Sequence, residues 1–408
     1  MIGAVLLAGC SQDDVALEVT PEEPVALNFC ITEAETNYTD GSTRAAQTAS
    51  TRAGHTSAMN NEDLYTTGFG VMASTTAGTG SGYNKPDLMY NQEVKYTFVG
   101  DLPLNPEIQP VPEPYRGYWS YYPLKYWPTD LEHCYISAYA PYVKSTDLAG
   151  LLADETKTGI VGISGNNEAP YITYRRCKKP NEVVDLLWYY KKFKDTDKIP
   201  EATTTLPAGT LNMKMRHALA RLEIQVALAA APASGTKVLI EKITLEGNMT
   251  KTAKLILNKD DGTGDDHYPH WEDLETPDVE DRTIQITNID NDAGSYGIID
   301  SQVRYIPGLP YDWQPAGLKV YDAEVEGKNY LNTLSTGDRQ GYIYLIPQDN
   351  LELTVTVKYH KVTSGSDVPG VKTTESTLHI PPKPSEEAPY PPLKGNTKYT
   401  LNLTLSGI

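Results

Sequence analysis

Apolar residues in this chain recur at every second position, and that spacing confines it to β structure. In residues 399–405, Tyr399, Leu401, Leu403 and Leu405 form one face while Thr400, Asn402 and Thr404 form the other. The same alternation puts Val25, Leu27, Phe29 and Ile31 on one side of the run 25–31, and sets Leu222, Ile224 and Val226 against Glu223 and Gln225. Successive strand side chains point to opposite faces, so such runs bury one side. Further strands are expected at 67–73, 135–140, 183–190, 238–245, 253–257, 283–287, 341–348 and 351–357. Pro and Gly, 29 and 31 of them, break the runs at short intervals. No long amphipathic helix and no βαβ alternation interrupts the pattern. An all-β chain of two tandem sandwiches is the economical architecture.

At 408 residues the chain suits two domains. The polar stretch 194–209, with Pro200, Pro207 and Gly209, marks the expected division into an N-terminal sandwich over 25–200 and a C-terminal one over 205–408. Residues 32–63 read as a long polar loop holding Arg44 and Arg52, and 381–393 as a Pro-rich link. The net charge of −18 argues against nucleic acid as a partner, because a polyanion is repelled unless a basic face is present. The densest basic stretch, Arg175, Arg176, Lys178 and Lys179, reads as a solvated turn.

Chemistry-bearing motifs are thin. The sequence has no Gly-x-Ser-x-Gly elbow, His-Glu-x-x-His, phosphate-binding Gly-rich loop or Cys-x-x-Cys, so no catalytic residue and no cofactor is expected. His267 and His270 lie near Asp265, Asp266 and Glu272, but in a Gly- and Asp-rich stretch that reads as an exposed loop, and no metal is expected. After Cys10 the cysteines number three, Cys30, Cys134 and Cys177, which excludes a dense disulfide framework; a Cys134–Cys177 bond or buried thiols are the alternatives. Tyr115, Tyr118, Trp119, Tyr121, Tyr122, Tyr126 and Trp127 are dense enough to stack against sugar rings, which supports a second reading as a monomeric surface glycan binder.

The opening residues, MIGAVLLAGC, resemble a bacterial lipoprotein signal. An apolar run leads into Leu7-Ala8-Gly9-Cys10, and small residues before a cysteine let a signal peptidase approach the backbone. Cys10 is then the expected lipidation site, carrying palmitate-type acyl chains in the outer membrane. No basic residue precedes the run, unlike the usual signal. Residues 11–24 read as a tether, and its acidic start, Ser11-Gln12-Asp13-Asp14, resembles a surface-export signal.

Several segments together resemble the fimbrillins of Bacteroidota, the subunits of type V pili. They are the lipobox, Phe69-Gly70-Val71, Tyr126-Trp127-Pro128, Ser137-Ala138-Tyr139-Ala140-Pro141-Tyr142 and Asp185-Leu186-Leu187 in the first half. In the second half they are Arg216 to Leu222, Ile343 to Gln348 and Gly395 to Leu405. The resemblance runs along nearly the whole chain. It implies two transthyretin-like β-sandwich domains with Greek-key type connections, a place in a fimbrium at the cell surface, and other fimbrillin subunits as partners. A host or bacterial surface ligand is implied for adhesion. It further implies cleavage after an arginine in the loop behind the first strand: Arg52-Ala53 first, Arg44-Ala45 second. Cutting there removes the lipid anchor with strand 25–31 and leaves a groove for a neighbour's strand. Strand 399–405 is either the donor or the closing strand of its own sandwich, and the second is expected.

Overall fold

The structure is a computed structural model that describes residues 24–34, 39–40, 59, 61–75, 86–98, 117–129, 131–132, 134–165, 169–177, 185–203, 206–228, 236–262, 267–276, 282–287, 297–299, 343–363 and 372–405. In chain order the first half supplies β1 (Asn28–Ala34), β2 (Thr39–Asp40), helix α1 (Asn61–Thr67), β3 (Phe69–Ser74), β4 (Met89–Phe98), β5 (Gly117–Ser120), β6 (Tyr135–Ala140), β7 (Gly159–Ser164), β8 (Tyr171–Arg175) and β9 (Leu187–Lys192). The second half supplies β10 (Thr210–His217), β11 (Ala220–Leu228), β12 (Thr236–Gly247), β13 (Thr252–Asp260), β14 (Pro269–Glu272) and β15 (Thr283–Thr287). It ends with β16 (Gly297–Ile299), β17 (Ile343–Leu345), β18 (Leu351–Thr363), β19 (Lys372–Ile380) and β20 (Thr397–Leu405). The fold is all-β. Helix α1 stops at Gly68, whose φ of +65° favours glycine and whose N–H closes the last turn on Leu64 O.

Seven strands form one sheet in the order β1-β10-β9-β6-β3-β4-β5. The sheet rolls up until its two edges, β1 and β5, approach each other. Inside the roll lie Leu27, Phe29, Phe69, Val71, Val94, Ile136, Leu187, Leu211, Met213 and Met215. The opposite face presents Met72, Tyr139 and Trp188 to a second core, closed by the four-stranded sheet β14-β13-β8-β7. Both faces of the central strands are therefore covered, and every residue of β3 is buried. In this setting Gly70 matters: a Cβ there would stand 2.3 Å from the Tyr139 ring. The Tyr139 hydroxyl donates to Asn91 Oδ1 at 2.6 Å, and Asn91 in turn donates to Val143 O and Ser145 Oγ.

A third core lies between the sheets β17-β11-β20-β2 and β15-β12-β18-β19. It holds Leu222, Ile224, Ile243, Leu245, Leu353, Val355, Tyr399 and Leu401. β20 runs parallel to β11 from Arg221↔Lys398 to Leu228↔Leu405, and β2 lies on its other edge at Thr39↔Thr397. Strand 399–405 thus lies inside this sheet, between β11 and β2 of its own chain.

Among the described residues the expected division at residues 200–205 is crossed by four strand pairings, β1–β10, β9–β10, β8–β13 and β2–β20. β10 follows it in sequence yet lies between β1 and β9, because Leu211, Met213 and Met215 alternate into the first core. β13 pairs with β8 from Thr252↔Arg175 to Ile256↔Tyr171, so the sheet over the second core draws strands from both halves. The chain leaves the roll at Ala218 and Leu219, both fully buried, and enters the third core as β11.

Candidate functional site

β1 sits at the seam where the roll closes. It pairs on one side with β10, running parallel from Asn28↔Thr210 to Ala34↔Met215. Leu27, Phe29 and Ile31 are buried at 0, 4 and 6% exposure, and Val25 packs half-buried against the same core. The Phe29 ring meets Phe69 edge-on at 6.3 Å and Tyr121 at 5.6 Å. Cys30 points the other way and is half-buried, and that burial pushes its thiol pKa above the ordinary value.

The start of this strand is gripped from both edges. On the β10 side, Asn28 N–H donates to Gly209 O at 3.0 Å. On the opposite side the segment after β5 takes over. Leu27 N–H donates to Lys125 O at 2.9 Å, Trp127 N–H donates to Val25 O at 3.0 Å, and the Tyr121 hydroxyl donates to Leu27 O at 2.6 Å. Trp127 joins the two walls, since its ring N–H donates to Gly209 O at 2.8 Å. Gly209 has a φ of +76°, and a Cβ there would lie 2.1 Å from Ala26 O. Only glycine lets the strand backbone approach that closely.

A buried polar node lies where roll, second core and third core meet. His217 Nδ1 is 2.6 Å from Asp185 Oδ2, with both side chains essentially inaccessible. The same carboxylate accepts Met59 N–H at 2.9 Å and Leu186 N–H at 2.8 Å. Asn396, at a φ of +54°, accepts His217 N–H through its side chain and donates its own N–H to Leu219 O. Four separate sequence segments, around Met59, Asp185, His217 and Asn396, thereby converge. The node's burial and its saturation with backbone groups make it a structural joint.

Other candidates from the sequence fall elsewhere. Cys10, Arg44, Ala45, Arg52 and Ala53 lie outside the described residues. Cys134 belongs to the first core and Cys177 to the second, and no disulfide joins them. Burial pushes the Cys134 thiol up to about 12. His270 lies between Asp261, at 2.7 Å, and Glu272, at 2.8 Å, and His267 pairs with Asp260. These are histidine–carboxylate contacts of a largely half-buried hairpin of β13 and β14, and among the described residues no group suited to a metal ion forms. The supposed solvated turn at Arg175 and Arg176 is instead buried at 5 and 3% exposure. The Arg175 guanidinium caps the carbonyls of Leu152, Asp154 and Lys157, a use of several fixed donors that a turn rich in unpaired carbonyls invites. Of the aromatic stretch, Trp127 is buried and Trp119 and Tyr121 pack against the first core, while Tyr118, Tyr122 and Tyr126 remain exposed. The grip of segment 121–127 on β1 went unread, because hydrogen bonds from loop backbone leave no pattern in side-chain periodicity.

No family model and no curated protein matches the sequence. Solved structures similar to the chain are fimbrial and adhesion-named proteins of Bacteroides and Parabacteroides. A fimbrial protein from Bacteroides vulgatus is 17% identical at a TM-score of 0.47, with 85% of this chain and 92% of that one covered. A protein provisionally named for cell adhesion, from Parabacteroides distasonis, is 11% identical at 0.39, covering 94% and 88%. A fimbrial protein from Bacteroides ovatus is 9% identical at 0.28, covering 94% of this chain and 50% of that one. All three TM-scores lie below 0.5, so the likeness alone assigns no activity, and the chain's own residues must carry one.

Proposed function

We propose that this chain is a fimbrial subunit that is exported as a surface lipoprotein and assembles by strand exchange after its N-terminal strand is cut away. The observation that carries the reading is the place of β1. Among the described residues it is an edge strand whose ladder is with β10, met on the other side by an isolated Ala26↔Tyr126 bridge, and with Leu27 just before it and Phe29 and Ile31 within it this segment fills the first core. Three such side chains stabilise the roll by roughly 5–9 kcal/mol at ~1.5–3 kcal/mol each, so an empty seam is strongly driven to take another strand. The stretch between β2 and α1 contains Arg44 and Arg52, and a cut at either separates β1 and β2, with the segment tied to Cys10, from the rest of the chain, so release also requires the short β2–β20 pairing to open. β20 pairs with β11 in its own chain, so in this reading the incoming strand comes from elsewhere. Partners are other subunits of the same kind, the membrane is reached through the lipid at Cys10, and the activity is adhesive, not enzymatic.

The test is sequencing of the N terminus of surface-shed protein, followed by gel analysis under mild denaturation. An Ala53 or Ala45 start with ladders resistant to denaturant is expected. Monomers alone after clean cleavage would overturn polymerisation. A glycan-binding reading draws on the exposed rings of Tyr118, Tyr122 and Tyr126 at 55, 87 and 47%. Retardation of an uncut, monomeric chain on affinity gels would favour it.

A further inference from the structure

The structure assigns to segment 121–127 the task of reading the strand that enters the seam, an inference that rests on the strand-exchange reading above. The partner it fits is an extended segment of a neighbouring chain. That segment carries apolar side chains at the three alternating positions now held by Leu27, Phe29 and Ile31, with an aromatic ring at the middle one. It also presents unblocked N–H groups at positions 27 and 28.

Two properties of the site carry this. The first is that recognition is through backbone on both edges at once. Residue 27 uses its N–H toward Lys125 O and its C=O toward the Tyr121 hydroxyl, while the N–H of residue 28 turns the opposite way to Gly209 O. A proline at either position removes a bond on one wall. The second is that the reading groups are held by contacts that do not involve β1. Lys125 N–H donates to the Tyr121 hydroxyl at 3.2 Å, and the Trp127 ring N–H donates to Gly209 O at 2.8 Å. With β1 gone, these bonds still place a hydroxyl, a carbonyl and an N–H along one edge of the slot. Preorganised donors and acceptors lose little entropy on binding, so they discriminate among strands of similar hydrophobicity. Side-chain selection is set beside them: Phe69 and Tyr121 define an aromatic pocket around position 29.

The experiment uses the full chain with a specific-protease site placed between Arg44 and Arg52, cut in the presence of fluorescent peptides of residues 24–34. Uptake and release are followed by anisotropy. The native peptide and a Cys30→Ser peptide are expected to exchange alike, since residue 30 points away from the core. A peptide N-methylated at Leu27 should bind about tenfold or more weakly, the loss of a hydrogen bond in a desolvated edge. Tyr121→Phe should speed release of the native peptide several-fold. Binding of the N-methylated peptide within twofold of native, while native peptide exchanges normally, sinks the reading role and leaves strand exchange standing. Failure of any peptide to enter, with β1 retained after the cut, sinks both. Because the decisive comparison uses one unaltered acceptor and two peptides, misfolding of a variant cannot mimic it.

Discussion

At the residue scale, Gly209 and Asp185 bear most on the molecule. Gly209→Ala places a methyl group against Ala26 O, at a φ that side chains resist. The start of β1 should lift, and labelling of Cys30 by a small thiol reagent should accelerate severalfold at pH 8. The sign follows from burial: Cys30 is held above its ordinary pKa, so release returns it toward that value and raises the thiolate fraction. Unchanged labelling would show that the strand does not depend on this close approach. Asp185→Ala removes a buried acceptor shared by two backbone N–H groups and His217 Nδ1. The expected cost is about 3–5 kcal/mol in urea unfolding, the usual penalty for breaking a buried polar pair. A change within about 0.5 kcal/mol, the usual range of a surface substitution, would mean that the node joins nothing.

At the scale of the element, β1 is the part on which the proposed strand exchange turns. Its pairing with β10 is a parallel ladder with one register shift between Ile31 and Glu33, and its apolar face is what a replacement in the proposed exchange must reproduce. Phe29→Asp should therefore impair the strand both as a resident and as a peptide. A charge would be set between Phe69 and Tyr121, where desolvation costs several kcal/mol. The expected outcome is early release of the strand on cutting, read as faster loss of residues 24–34 from the cut chain. Retention equal to wild type would mean that the hydrogen-bonded edge, not the apolar face, holds it.

At the scale of the whole molecule, the sheet shared by β8 and β13 pairs strands from the two halves of the sequence. The second core holds Trp188 from the first half and Leu255 and Leu257 from the second. Equilibrium unfolding should accordingly show coincident transitions by tryptophan fluorescence and far-ultraviolet circular dichroism. Two separated transitions, each matching a half split near residue 205, would contradict this. Net charge adds a second consequence for the proposed assembly: the full chain carries −18 and a chain cut after Arg52 keeps a net charge of −12, so its copies repel and assembly should quicken from low salt to about 0.15 M, where the screening length falls to about 8 Å.

Alternation alone determined the all-β class and most strand positions, because a period of two is imprinted directly by which side chains are buried. Residues 222–226, 351–357 and 399–405 could be read this way, and so could the apolar face of 25–31. What only the tertiary structure decided is how strands distant in sequence share sheets. β10 and β13 carry the same period wherever they pair, so their periodicity could not say that one completes the roll and the other covers it. Double-sided burial of β3 and the capping role of Arg175 were hidden for the same reason. So was the grip of Tyr121, Lys125 and Trp127 on Leu27, since a backbone hydrogen bond is made by every residue type. Periodicity records that a side is buried; the identity of the neighbour that buries it is settled by packing and by backbone bonds that no side-chain pattern encodes.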